Sequence, residues 1–103
     1  MIELELLEKL KEIKDPEIPI DIVNLGLIYG VQVKDKVAYV DMTLTVPSCP
    51  AKGFFAEHIR EHLLRNFPQL EDVVINFVFE PAWSSDKISE EGRQKLRSMG
   101  WNI

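Results

Sequence analysis

Cys49 is the only cysteine of the chain and lies in Thr45-Val46-Pro47-Ser48-Cys49-Pro50, where a β-branched run stops and a helical pattern begins. Pro50 suits the first turn of a helix, because its missing N–H would have been an orphan donor and its φ is already near the helical value. Cys49 is therefore expected at or beside an N-cap. Backbone N–H groups and the positive end of the helix dipole favour a thiolate there, and the thiolate is both the nucleophile and the soft metal ligand. By residue type alone the bland alternative is a small buried hydrophobe.

Other residues could join that thiol. Asp15 and Glu17 flank Pro16. If their loop folds back toward Cys49, the two carboxylates could accept protons, bind a hard metal or grip a basic group on a partner. The alternative is that Asp15 terminates a helix and Glu17 is solvated. Thr43 and Thr45 share one face of a strand leading to Cys49 and could orient a sulfur ligand or a substrate oxygen, or simply occupy the less buried side. Trp83 either plugs the edge of the core or walls a pocket beside the thiol. His58 and His62 have the i, i+4 spacing of a metal pair, but they read better as boundary residues without metal. No CxxC, HExxH, GxSxG or phosphate-cradling glycine loop is present.

The elements that must position these groups follow from periodicity. Leu6, Leu7, Leu10 and Ile13 recur at helical spacing among Glu and Lys, which predicts a helix over about 3–13 that stops before Pro16. Residues 15–27 combine prolines and acidic side chains with Ile18, Ile20, Ile22, Val23, Leu25 and Leu27. This predicts an ordered loop pinned to the core, with a short helical turn around 20–24. Ile28–Lys34 and Val37–Val46 read as a hairpin joined by Asp35-Lys36, with Ala38, Val40, Met42, Leu44 and Val46 facing inward. From Pro50 to about Asn66, Phe55, Ala56, Ile59 and Leu63 form a helical stripe that continues to Phe67.

Val73–Phe79 reads as a third strand, covered on both faces for part of its length and parallel to its neighbour after a helical crossover. Ser89 is the expected N-cap of a last helix that Gly100 ends. The expectation is one domain over 1–103 of α+β class. It is a two-layer α/β sandwich in the order α-β-β-α-β-α with a small three-stranded mixed sheet.

Composition narrows the function. The 103 residues are 46% hydrophobic and carry a formal charge of −5, which argues against nucleic acid or an anionic membrane as partner. A lone cysteine cannot form an internal disulfide, and the N-terminal residues lack a basic and apolar leader, so a cytoplasmic location is expected. No apolar stretch approaches the roughly 18 residues of a membrane span.

Taken in order, Asp15-Pro16-Glu17, Asp21-Ile22-Val23-Asn24-Leu25-Gly26-Leu27-Ile28-Tyr29, Met42 to Pro50, and Glu80-Pro81-Ala82-Trp83 with Ile88 to Arg93 resemble the SufT-like and PaaD-like family of iron–sulfur cluster assembly proteins, also called metal-sulfur cluster biosynthesis proteins. By position, Asp15 and Glu17 match the family's acidic pair, Thr45 its threonine and Cys49 its cysteine. Val46 replaces a second threonine found in some members. PaaD-like proteins of phenylacetate degradation typically continue into a cysteine-bearing, zinc-binding tail, whereas the last residue here is Ile103. This leads to the expectation of a stand-alone factor.

The resemblance implies a non-enzymatic role in cluster or iron transfer to apo-proteins. Cys49 would be the metal ligand, and iron or a cluster would be held transiently, with none stably bound. The implied partners are assembly proteins and apo-targets, and a homodimer is one way to complete a ligand set. The competing readings are an adaptor with a structural cysteine, a PaaD-like accessory factor, and a cysteine-dependent enzyme using a histidine or carboxylate base.

Overall fold

The computed structural model describes residues 2–15, 18–45 and 52–103. Its elements are α1 (Ile2–Leu10), β1 (Ile28–Lys34), β2 (Val37–Met42), α2 (Lys52–Asn66), β3 (Asp72–Phe77), a 3-10 turn (Ser85–Lys87) and α3 (Glu90–Ser98). The order α-β-β-α-β-α is the one the sequence predicts. The strands form one sheet in the order β1-β2-β3, antiparallel between β1 and β2 and parallel between β2 and β3.

Alternation on β2 places Ala38, Val40 and Met42 on the buried face. Helix α1 packs on β1 and α2 on β3, and the two helices touch each other. Leu6 and Leu10 of α1 and Phe55, Ile59 and Leu63 of α2 fill the space beneath the sheet. Each of these α2 residues lies four positions from the next, so they form the stripe that a 3.6-residue period aligns. At the opposite end of the hairpin, Asp35 and Lys36 take positive φ of 52° and 67°. This is the backbone of a primed turn, whose twist matches that of paired strands.

Several boundaries differ from expectation. Helix α1 ends at Leu10 rather than near 13, because residues 13–15 pair with residues 20–22 instead, around a Lys14–Asp21 bridge. Ile13 then accepts from the Ile22 N–H at 2.9 Å, and Asp15 N–H donates to Ile20 O at 3.1 Å. The turn expected at 20–24 lies at 22–26, where Asp21 Oδ2 accepts from the backbone N–H groups of Val23 at 3.1 Å and Asn24 at 2.9 Å. Strand β3 is covered mainly on one face, with Val73 buried and Val74 39% exposed. Strand β2 ends at Met42, short of the expected Val46, which lies outside the described residues together with the expected helix start at Pro50.

Backbone pairing nevertheless runs on beyond the named strands. Thr43 N–H donates to Leu27 O at 2.8 Å, and Val78 N–H donates to Met42 O at 2.7 Å. The segment that leads toward Cys49 is thus held between the end of the 18–27 loop and the chain leaving β3.

Candidate functional site

Past Met42 the chain leaves the pleat, and Thr43, expected on the less buried face, is fully buried. Its outward side is covered by the segment after β3. Thr43, Leu44 and Thr45 meet Phe79, Ala82 and Trp83 around a cavity of about 60 Å³. Two of the predicted site residues, Thr45 and Trp83, therefore line one cavity, and Thr45 stands four positions before Cys49 in sequence. Thr43 Oγ1 has no hydrogen-bond partner among the described residues. The sequence reading weighed Thr43 as a donor but missed its burial, and it missed Leu44, Phe79 and Ala82 as wall residues.

Trp83 is fixed from behind. Its indole N–H donates to Leu25 O at 2.7 Å, and its ring packs half-buried against the core. It seals the core edge, as one of its two expected roles has it, and also lines the cavity. The segment carrying it is anchored again where Tyr29 Oη donates to Pro81 O at 2.7 Å. Lys52 Nζ stands over the rings of Phe77 at 5.5 Å and Phe79 at 5.9 Å. This puts a cation against the aromatic wall of the cavity.

The loop that supports this wall is tied to α3 by a polar network that sequence reasoning saw only in part. Asn24 Nδ2 donates to Asp21 Oδ1 at 2.7 Å, and Asn24 Oδ1 accepts from Ser89 Oγ at 2.6 Å. Ser89 Oγ in turn accepts from the Gly92 N–H at 3.0 Å as the N-cap of α3. Gly26 adopts φ +79°, and any Cβ there would run into the Lys87 carbonyl, so only glycine lets the loop and the 3-10 turn approach this closely.

Asp15 is buried, and its Oδ2 accepts from the Ile18 N–H at 2.9 Å. Part of its acceptor capacity thus shapes its own loop. Glu17 and Cys49 lie outside the described residues. Among the described residues no group of three or more His, Cys, Asp and Glu side chains is placed to hold a metal. Of the two histidines expected at the border of the α2 stripe, His62 is half-buried with its Nε2 3.0 Å from Glu12 Oε1, whereas His58 is exposed. The Glu12 carboxyl is held below its usual range, first by Lys9 and then by His62. No helix among the described residues is long and apolar enough to cross a membrane.

Comparison with known proteins places this geometry. A family model described as iron–sulfur cluster assembly protein matches residues 3–77. A Porphyromonas gingivalis protein named Fe-S protein maturation auxiliary factor is 40% identical over 95 residues, covering 91% of this chain and 90% of the relative. The Staphylococcus aureus Fe-S protein maturation auxiliary factor SufT is 43% identical, covering 80% of this chain and 93% of its own. Among solved structures, a domain of unknown function, DUF59, from Bacillus anthracis superposes with a TM-score of 0.86 at 33% identity, over 92% of this chain and 91% of the other.

Proposed function

This chain belongs to the iron–sulfur cluster assembly protein family, and from that membership we propose that it acts as a non-enzymatic cytoplasmic factor in which Cys49 carries iron or a cluster transiently on its way to apo-proteins. The general role is iron–sulfur protein assembly and maturation. The observation that supports Cys49 as the working residue is the placement of Thr45 and Trp83 around one cavity at the head of the cysteine segment. A soft thiolate suits iron, and Asp15 and Glu17 supply harder donors or a grip on a partner's basic group.

One thiolate does not satisfy a cluster, for which about four protein ligands are usual. The remaining ligands come from an assembly protein, an apo-target, a second copy of the chain or an outside thiol, and transfer proceeds by exchange of these ligands. No acid or base catalysis is needed for such an exchange.

The test is anaerobic activation of an apo iron–sulfur enzyme by a cluster donor, with the wild type and Cys49→Ser compared at equal concentration. The wild type is expected to accelerate recovery of enzyme activity, and Cys49→Ser to give the rate of the donor alone. Equal acceleration by both proteins would remove Cys49 as a ligand and leave a scaffold whose cysteine is structural.

A further inference from the structure

A groove of about 530 Å³ lies where α1 passes the C-terminal end of α2, and it shares no lining residue with the Thr43 cavity. Leu4, Glu5, Glu8, Lys9 and Glu12 line it from α1. Asn66 and Phe67 close it at the end of α2. From Leu4 to Glu12 it follows the chain of α1 and the turn after it for about 12 Å, slightly more than two helical turns.

The lining defines the chemistry of an occupant in three ways. It carries three carboxylates against one ammonium. Glu8 is paired with Lys11 at 3.2 Å and Glu12 with Lys9 at 3.1 Å, both in solvent, where such pairs are worth little and exchange partners readily. Glu5 makes no ion pair among the described residues, and the negative end of the 15-residue helix α2 adds to the same potential. The groove also offers an apolar anchor point, since Leu4 is 62% exposed and lines it together with Phe67. Finally, no residue of β1 or β3 lines it. With no strand edge on offer, an incoming backbone has to satisfy its own N–H and C=O groups, as a helix does.

We infer that this groove docks a basic amphipathic helix of another protein, with an aliphatic or aromatic side chain against Leu4 and Phe67 and Lys or Arg on Glu5 and Glu8. Anchors at i, i+4 and i+7 of such a helix span about 10.5 Å, which matches the length of the groove. The docking needs neither Cys49 nor iron, so it stands apart from the ligand role proposed above.

The experiment is an NMR titration of the full chain with an amidated, alanine-based helical peptide that carries leucine at i, i+4 and i+7 and lysine beside each leucine. The controls are the same peptide with glutamate for lysine, a peptide of the same composition in scrambled order, and spermidine. Saturable amide shifts are expected at Leu4, Glu8, Asn66 and Phe67. Leu4→Ser should weaken binding about tenfold by removing the apolar anchor, and Glu5→Lys about fivefold by reversing a charge. Both residues are exposed, so neither change threatens the fold. Glu80→Lys makes the same change of net charge at an exposed residue outside the groove and should leave the affinity unchanged.

Saturation at the groove that both groove variants weaken and Glu80→Lys does not supports the inference. Shifts that do not saturate, that the scrambled or glutamate peptide reproduces, or that Glu80→Lys weakens equally overturn it. So does spermidine giving the same shifts at the same affinity, which would make the groove a site for small cations. Groove shifts that depend on protein concentration without peptide would assign it to a second copy of the chain and overturn it as well.

Discussion

A buried hydroxyl with no partner costs a folded protein about 1–3 kcal/mol, and valine would fill nearly the same volume as Thr43 without that cost. Thr43→Val is therefore expected to raise the stability of the protein by about 1 kcal/mol, read as a higher urea midpoint at unchanged m-value. A lower midpoint would show that the hydroxyl is satisfied in solution. Sequence alternation could not expose this situation. It assigns Thr43 and Thr45 to one strand face, which is correct parity for a strand, but β2 ends at Met42 and the far side of Thr43 is closed by residues 36 or more positions later. The type and position of Thr45 and Trp83 were legible, whereas the closure that brings them together is a long-range fact. Position also cannot reveal what Asp15 does, since its backbone and side chain both enter its own loop's hydrogen bonding.

At the scale of elements, periodicity was a good guide to kind and order and a poorer one to ends. The stripe of Phe55, Ile59 and Leu63 and the alternation of Ala38, Val40 and Met42 are local patterns, and both appear in the core as expected. The end of α1 and the end of β2 depend on competition with non-local pairing. Ile13, which continues the helical stripe, pairs instead with Ile22.

The clearest local signal with a distant consequence is Ser89. It was legible as an N-cap, yet its hydroxyl also donates to Asn24, 65 positions away. Ser89→Ala removes the cap, worth about 1 kcal/mol, and strands Asn24 Oδ1, which adds about 1 kcal/mol more. The expected loss is about 2 kcal/mol in chemical denaturation. In a double-mutant cycle with Asn24→Ala the coupling should exceed about 0.5 kcal/mol. Additive effects would mean that the cap acts within α3 alone and does not hold the loop that carries Leu25 and supports Trp83.

For the molecule as a whole, the formal charge of −5 sets a general self-repulsion among carboxylates, but one of them ties the helical layer to the sheet. Both Arg60 Nε and Nη2, on α2, donate to Asp72 Oδ1 at the start of β3, at 3.2 and 2.7 Å. The Asp72 carboxyl is held below its usual range, first by the hydrogen bond from Arg60 and then by that from the Val73 N–H. A carboxylate whose folded pKa is depressed adds stability that is fully present above its unfolded pKa, about 4, and is lost as pH falls through the lower folded value.

Asp72→Asn should therefore destabilise the protein near neutral pH, by a modest amount because the pair is open to solvent. The difference from wild type should shrink below about pH 4 and vanish once Asp72 is protonated in both folded and unfolded chains. Salt should reduce the neutral-pH difference as well, because exposed charges are screened. Thermal midpoints of both proteins across that range provide the check. A gap that persists undiminished into acid would mean that Asp72 acts through packing or the Val73 N–H geometry, and that the Arg60 pair contributes nothing to joining the two layers.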